Sequence, residues 1–446
     1  MNAGFWRDKR KIYFIGIGGI SMSGLALHLK ELGFCVSGSD AAPGEAAAAL
    51  CAAGIPVYAG ADARRAEGAD AVVYTAAVPP AHPELVRARE LGIPVAERAE
   101  LLRLVASGYE NVVGIAGSHG KTTATAMCAH VLAACSGECS AHIGGMDADY
   151  GNFLEGGKKY FVTEACEYRA HFLQLRPDLA VVLNAGEDHL ESYGSREALA
   201  RAWSQYLASA RGRIVCGDDP ALRGAAADIT FGLSAGCRVT AADIRSSRGR
   251  YSFILVVGGR PCARVRLQAY GRHNILNALA AAAVAEYYGF SPEGAAEGLR
   301  RFRAVRRRFE FVGTLGGADV VADYAHHPRE IAAALQTARE ACRGRLFVVF
   351  QPHTYSRTRL LFDEFVEVLS RPDDLLLYKT FAAREYFDAA GSALALAEKL
   401  PKALYAGTVR ELEAYLTHSL HPGDMALVLG AGDIYAIVRR ILQGRA

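Results

Sequence analysis

The segment that most constrains the fold is Gly117-Ser118-His119-Gly120-Lys121-Thr122-Thr123, which follows the β-rich run Asn111–Ala116 and opens a helix-like stretch. A strand that turns through glycines straight into a helix belongs to a parallel α/β sheet, because parallel strands need a helical crossover to return the chain. At such a junction backbone N–H groups and a helix N-terminus converge on an anion. The expectation is a phosphate loop formed by Gly117, Ser118, His119, Gly120, Lys121, Thr122 and Thr123. In it Lys121 reaches the β- and γ-phosphates of a nucleotide and the Thr122 hydroxyl holds Mg2+. The strict pattern has a glycine where Ile115 stands; the glycines present are Gly114, Gly117 and Gly120. An ordinary glycine turn is the bland alternative, and Gly-Lys-Thr-Thr at this junction argues against it.

A second glycine turn, Gly16-Ile17-Gly18-Gly19-Ile20-Ser21, follows the run Lys11–Ile15, with Ser21 where a dinucleotide fingerprint has its third glycine. Asp40 lies about twenty residues on, where a ribose-binding acid often sits. Two readings stay open at this point: a nucleotide diphosphate site, or tight strand–helix packing with no ligand. Strands at Pro56–Ala59 and Ala71–Thr75 and a helix at Ala96–Ala106 complete this unit, with Ser107-Gly108 as a linker.

The same alternation continues. Strands are expected at Phe161–Glu164 and Leu179–Asn184 and a helix at Asn274–Tyr288. Beyond a basic run come strands at Asp319–Asp323, Leu346–Phe350 and Met425–Leu429, with helices at Arg329–Glu340 and Arg359–Leu369. The reading is three consecutive α/β domains, at residues 1–107, 108–312 and 313–446. Each is long enough to bury its own core.

Charge narrows the function. A formal net charge of +3 is too balanced for a nucleic-acid footprint. The longest apolar stretch, Ala278–Ala285, is too short to span a bilayer, and no targeting segment is visible. The ten cysteines read as reduced, mostly buried thiols of a cytosolic protein. Cys135 and Cys139 with His130 and His142 nearby raise a zinc site, but the spacing matches no strong pattern.

Further candidates lie where strands end, since ligands of open α/β sheets bind at the carboxyl ends of strands. Thr163-Glu164-Ala165-Cys166-Glu167 ends one strand and Asn184 to His189 ends the next, so Glu164 and His189 can both face a Mg2+ ion. Asn274 and Asn277 share a helix face and suit a base or ribose, or else a cap and a neutral helix position. Arg306-Arg307-Arg308 is either solvated surface or an arginine that reaches a nucleotide. Asp323 to Pro328 and Gln351 to Thr358 are read as polar, histidine-bearing loops after two adjacent strands, which makes them substrate-site candidates. Gly430-Ala431-Gly432-Asp433 is a third glycine turn and can be purely structural.

Together these segments resemble the Mur ligase family over nearly the whole chain. Carrying the resemblance are Phe14 to Gly19 with Ser37-Gly38-Ser39-Asp40, Gly117 to Thr123, Glu164 to Glu167, Asn184 with Asp188-His189, and Gly271 to Asn277. Arg307-Arg308-Phe309, Asp323 to Pro328, and Gln351-Pro352-His353 with Arg357-Thr358 complete it. The resemblance implies an N-terminal Rossmann-like domain that binds a UDP substrate, a central ATPase-like domain and a C-terminal Rossmann-like domain that binds an amino acid. It implies a cytoplasmic, ATP- and Mg2+-dependent ligase of peptidoglycan synthesis. This enzyme joins L-alanine to the carboxylate of UDP-N-acetylmuramate through an acyl phosphate, as a monomer or homodimer without nucleic acid or a stable membrane attachment.

By the same resemblance, Lys121, His326 and Arg357 are catalytic. Thr122, Glu164 and His189 serve the metal. Asn274, Asn277, Arg308 and Asp323 join the phosphate loop in holding ATP. Gly16, Gly18, Gly19 and Asp40 serve the UDP part, and His326, His353 and Arg357 face the substrate carboxylates. Three departures stand out: Ser118 for a threonine, Ala304 for a glycine and Thr354 for an arginine. Sibling ligases also carry a carbamylated lysine about fifteen residues after the metal histidine. Here that place is near Ser204, and no lysine occurs between Lys159 and Lys379. Competing readings are the relative that attaches a preformed tripeptide, a nicotinamide-dependent dehydrogenase, and a non-catalytic nucleotide-binding protein.

Overall fold

The computed structural model describes residues 8–41, 44–167, 170–186 and 193–444. Three sheets follow one another along the chain. The first has five strands, β1 (Lys11–Ile15), β2 (Cys35–Asp40), β3 (Val57–Ala59), β4 (Ala71–Tyr74) and β5 (Val95–Glu97), in the order β3-β2-β1-β4-β5. All its pairings are parallel. β1 is buried from Ile12 to Ile15, as a strand covered on both faces must be. The segment expected as one helix at Ala96–Ala106 instead begins as strand β5, and its helix runs Arg98–Ala106. Val95 and Ala96 pair with β4 before the helix starts, so the chain completes the sheet first.

The second sheet has ten strands. They are β6 (Asn111–Ala116), β7 (Cys139–Asp147), β8 (Gly151–Leu154), β9 (Tyr160–Glu164), β10 (Leu179–Val182), β11 (Gly212–Cys216), β12 (Ile229–Phe231), β13 (Val239–Ser247), β14 (Arg250–Val257) and β15 (Arg260–Tyr270). Their order is β15-β14-β13-β12-β11-β10-β6-β9-β7-β8. β6, which leads into the phosphate loop, is central, flanked in parallel by β9 and β10. The carboxyl ends of β6, β9 and β10 therefore open side by side.

The third sheet contains β16 (Glu310–Leu315), β17 (Ala318–Asp323), β18 (Leu346–Phe350), β19 (Asp374–Tyr378), β20 (Ala403–Ala406) and β21 (Met425–Leu429), in the order β16-β17-β21-β18-β19-β20. Only β16 is antiparallel to its neighbour. One apolar cluster centred on Ile331, Val348, Phe365 and Leu427 covers one face. A second, centred on Phe347, Val349, Leu412 and Ile437, covers the other. The strands ending at Asp323 and Phe350, expected from sequence to be adjacent, are not: β21 lies between them. The helix expected at Arg359–Leu369 is two helices, Tyr355–Leu360 and Phe362–Leu369, broken at Leu361 with φ −108° and ψ 26°.

By packing density the chain forms two compact units. The first takes in the chain up to Asp243 with Phe253–Arg266 and Leu276–Arg303. The second takes in Ile244–Ser252, Leu267–Ile275 and the chain from Ala304 onward. The first sheet and most of the second thus share one packed body, while parts of β13, β14 and β15 fall in the other unit. Among the described residues no helix is long and apolar enough to cross a membrane. All ten cysteines are unpaired. Only Cys128, Cys139 and Cys216 are buried, and Cys35 and Cys51 are exposed, which corrects the expectation of mostly buried thiols.

Candidate active site

In the first unit, β6 ends at Ala116 and the loop Gly117–Gly120 delivers Lys121 as the first residue of the helix Lys121–Ser136. Gly120, the N-cap, has φ +85°. A Cβ at Gly120 would lie 2.7 Å from Asn277 Oδ1, so this position needs glycine for both its conformation and its clearance. Asn184, just beyond β10, pins the loop from the side. Its Oδ1 accepts from the His119 N–H at 2.9 Å and its Nδ2 donates to the His119 carbonyl at 3.0 Å. The Ser118 hydroxyl is buried and makes no hydrogen bond among the described residues. An orphaned donor in a glycine loop at a helix N-terminus is what an absent phosphate would satisfy.

The Lys121 ammonium folds back over this loop. Nζ donates to the Gly117 carbonyl at 2.5 Å and the Ser118 carbonyl at 3.2 Å, and it lies 2.9 Å from a Glu167 carboxylate oxygen. Burial disfavours its charge, but the nearby carboxylate of Glu167 outweighs this and holds the ammonium above its ordinary pKa. Glu167 is almost wholly buried. It is the site residue the sequence reading left without a role, although its motif was singled out. The available signal was position: it lies three residues past a strand end beside the phosphate loop.

Glu164 ends β9, and its Oε1 accepts from the Gly144 N–H at 2.9 Å. A Cβ at Gly144 would displace this carboxyl group from its place. Thr122 is buried one residue beyond Lys121. The Thr122 hydroxyl and the Glu164 carboxylate are oxygen donors, a set that fits Mg2+ rather than a softer metal. His189, the third expected ligand, lies outside the described residues. Cys135 and Cys139 with His130 and His142 are not brought to metal-ligand spacing among the described residues. Among the described residues the group with metal-ligand spacing is His130, Asp147 and Asp149, with no cysteine. There His130 Nε2 already pairs with Asp147 at 3.2 Å and Asp149 pairs with Arg303.

At the other glycine turn, Gly16 has φ +81°. The N–H groups of Gly16 and Ile17 both donate to the Ser39 carbonyl, at 2.8 and 3.0 Å. Asp40 accepts from the Gly18 N–H at 2.9 Å. The turn leads through Gly19 into the helix Ile20–Glu31, whose first turn contains no acid and no side-chain cap. Its leading N–H groups are therefore left for an anion.

In the second unit, Asp323 ends β17 and braces the preceding bend. It accepts from the Phe309 N–H at 2.8 Å and the Ala325 N–H at 2.7 Å. Burial raises its carboxyl pKa against the pull of Arg308. Arg307 and Arg308 lie over the Tyr324 ring, and Arg307 also donates to the carbonyls of Gly430 and Gly432. The third glycine turn thus has a structural role. Asn274 is buried and donates to the Tyr270 carbonyl at 2.6 Å.

His326 and His353 come together although their strands are not neighbours, with ring centroids 5.9 Å apart. Arg357 Nη1 lies 3.3 Å from His353 Nδ1. Burial, with Arg357 and His326 beside it, pushes His353 down to about 4. His326 is also lowered, chiefly by burial, although Glu330 opposes this. Both rings are neutral at pH 7. His326 Nδ1 faces the Tyr324 carbonyl at 3.0 Å, and a carbonyl only accepts, so Nδ1 carries the proton and Nε2 keeps its lone pair.

A phosphate loop beside the strand-end acid Glu164 fits a nucleotide-dependent ligase. The chain belongs to the Mur ligase family: residues 11–110 match the Mur ligase family catalytic domain, 115–285 the middle domain and 307–432 the glutamate ligase domain. It is 40% identical to a UDP-N-acetylmuramate–L-alanine ligase of Acetivibrio thermocellus, over 98% of this chain and 96% of that one. Its structure resembles that of the UDP-N-acetylmuramate-alanine ligase MurC of Thermotoga maritima, with a TM-score of 0.86 and 30% identity, covering 97% and 98% of the two chains. A murein peptide ligase from Psychrobacter arcticus shares the fold at TM-score 0.74 and 22% identity, over 97% and 98%.

Proposed function

We propose that this chain joins L-alanine to the carboxylate of UDP-N-acetylmuramate, with ATP as the energy source, in peptidoglycan synthesis. The observation that carries the reading is the full-length likeness to ligases named for that reaction, joined to a phosphate loop whose lysine is charged and aimed at the loop. In this reading residues 1–107 hold the UDP part, 108–312 the ATP phosphates and 313–446 the amino acid. The enzyme works in the cytoplasm, as a monomer or homodimer, with neither nucleic acid nor a stable membrane attachment.

A muramoyl carboxylate oxygen attacks the γ-phosphorus, and the bond from that phosphorus to the β–γ bridging oxygen breaks. ADP leaves and an acyl phosphate forms. Lys121 gives up its loop carbonyls and neutralises charge on the transferring group, a step that needs positioning and charge more than covalent help. Thr122, Glu164 and His189 would hold Mg2+, which would supply further charge neutralisation at the phosphates. Asn274, Asn277, Arg308 and Asp323 are assigned to ATP. Gly16, Gly18, Gly19 and Asp40 are assigned to UDP.

Arg357 and His353 bind carboxylate. His326 Nε2 takes the proton that the alanine ammonium must lose before its nitrogen attacks the acyl carbon. The carbon–oxygen bond to phosphate then breaks, and phosphate leaves with the second proton that the nitrogen sheds as the amide forms.

The test is ADP release with UDP-N-acetylmuramate, run with and without L-alanine, and with L-alanyl-γ-D-glutamyl-diaminopimelate in its place. Turnover that requires L-alanine is expected. Preference for the tripeptide would transfer the chain to the murein peptide ligase branch, and no ADP with either acceptor would overturn the enzymatic reading.

A further inference from the structure

The first turn of the helix Ile20–Glu31 is held from outside its own sheet. Asn152, on β8 of the second sheet and 4% exposed, donates through Nδ2 to the Ile20 carbonyl at 2.7 Å and to Ser23 Oγ at 2.8 Å. Both amide hydrogens are used on that one turn. His142, buried on β7, reaches the same turn. Its Nε2 lies 3.0 Å from the Ser21 carbonyl and its Nδ1 3.3 Å from Thr163 Oγ1. The carbonyl can only accept, so Nε2 carries the proton and Nδ1 accepts from the threonine hydroxyl. Arg98 donates to Ser21 Oγ at 3.3 Å. The fit is close: a Cβ on Gly24 would lie 3.0 Å from the Asn152 carbonyl and 3.1 Å from the His142 ring.

The strands that supply this clamp also build the ATP side. β7 pairs with β9 so that His142 faces Thr163, the residue before Glu164, and Gly144 N–H binds the Glu164 carboxyl. On the far side, the clamped turn begins one residue after Gly19, where the leading N–H groups of the helix are uncapped. The reach of those N–H groups depends on where the first turn sits, and its own sheet does not fix it alone.

We propose that Asn152, with His142 beside it, is a positioning residue for the UDP substrate, supplied by the ATP-binding sheet. It sets the first turn of the helix Ile20–Glu31 and so the N–H groups that meet the diphosphate. The proposal rests on the reading of Gly16–Gly19 as the UDP site.

The test uses the full chain and calorimetry with UDP-N-acetylmuramate, alongside KM values for it and for ATP and a melting curve. Asn152→Leu keeps the volume and removes both donors. Ser23→Ala removes one bond and suits a helix. Asn152→Leu is expected to weaken UDP-N-acetylmuramate binding on the order of tenfold, with the KM for ATP and kcat within about twofold of the parent, because one to two hydrogen bonds are lost. Ser23→Ala should give a smaller shift in the same direction. Unchanged affinity in Ser23→Ala and Asn152→Leu would overturn the proposal, as would a parallel rise in both KM values. If Asn152→Leu does not fold, Ser23→Ala decides alone. Failure of the parent chain to bind UDP-N-acetylmuramate would instead overturn the reading of the UDP site.

Discussion

The Lys121 ammonium and the Glu167 carboxylate lie 2.9 Å apart at the mouth of the phosphate loop, the lysine mostly buried and the acid almost wholly so. The pair keeps the lysine charged where burial alone would favour the neutral amine. Lys121→Ala should therefore lower ADP release by at least about 10²-fold, the scale of removing one preorganised charge from a phosphoryl-transfer site. UDP-N-acetylmuramate affinity should stay within about twofold, because its assigned site is at Gly16–Gly19, on another sheet. Calorimetry that finds this affinity lost would count against the separation of the two sites.

A second buried acid supports the first sheet. Glu84, fully buried, accepts from the Tyr13 hydroxyl at 2.9 Å, the Ser39 hydroxyl at 2.5 Å and the Asp62 N–H at 3.2 Å. Ser39 in turn supplies the carbonyl that receives Gly16 and Ile17. Glu84→Ala leaves the two buried hydroxyls of Tyr13 and Ser39 without this acceptor and should cost about 2 kcal/mol of stability, with each buried donor worth roughly 1 kcal/mol or more. Urea unfolding reads this directly. A loss below about 1 kcal/mol would mean that water replaces the carboxylate and that the turn is not braced from below.

The strand-to-helix turns at Gly16 and Gly117 were legible because glycine chemistry is local: the positive φ at Gly16 and Gly120 is demanded by the turn itself. So were β6, β17, β18 and β21, which are apolar runs flanked by polar loops. The meander β13–β15 carried a signal that was not used. Val265, Leu267 and Ala269 are buried and alternate with exposed Arg264, Arg266 and Gln268, a clear period of two. Strand order was another matter. β21 comes last in the chain yet pairs with both β17 and β18, and nothing in its own sequence says so. The meeting of His326 with His353, and of Glu167 with Lys121, follows from that kind of long-range placement.

His28 gives the first unit a dependence on acid. It is 2% exposed, packs on the Phe153 ring at 4.7 Å and has its pKa lowered to about 4, first by burial and then by His142 and Lys158. Glu155 lies 3.6 Å from Nδ1 but is half exposed, so burial prevails over that pairing. The folded pKa is below the unfolded value of about 6.5. The neutral ring is therefore compatible with the fold above about pH 6.5, and stability is lost as the pH falls from there through about 4. The slope approaches about 1.4 kcal/mol per pH unit for one group. His28→Leu should flatten the fall in unfolding free energy across that window. An unchanged slope would assign the acid sensitivity to other groups.

The last prediction concerns a residue that is missing. Sibling ligases use a carbamylated lysine near the metal, and the matching place here is near Ser204. That serine is exposed on the helix Arg196–Ala208, with its hydroxyl bonded to the Ala200 carbonyl four residues back. It cannot take up CO2, and arginine cannot either, since carbamylation needs a free neutral amine. No lysine occurs between Lys159 and Lys379, so a shift of register within the second sheet does not supply one. In the proposed site the metal's ligands are then Thr122, Glu164 and His189 with phosphate oxygens and water, and among these protein groups only Glu164 brings negative charge. A carbamate is lost in mild acid, and added bicarbonate restores it. Initial rates near pH ~6, at fixed ionic strength and saturating Mg2+, should therefore be the same with and without bicarbonate. A several-fold rescue would mean that a lysine from elsewhere in the chain reaches the metal, and the assignment of the metal site to these residues would have to be abandoned.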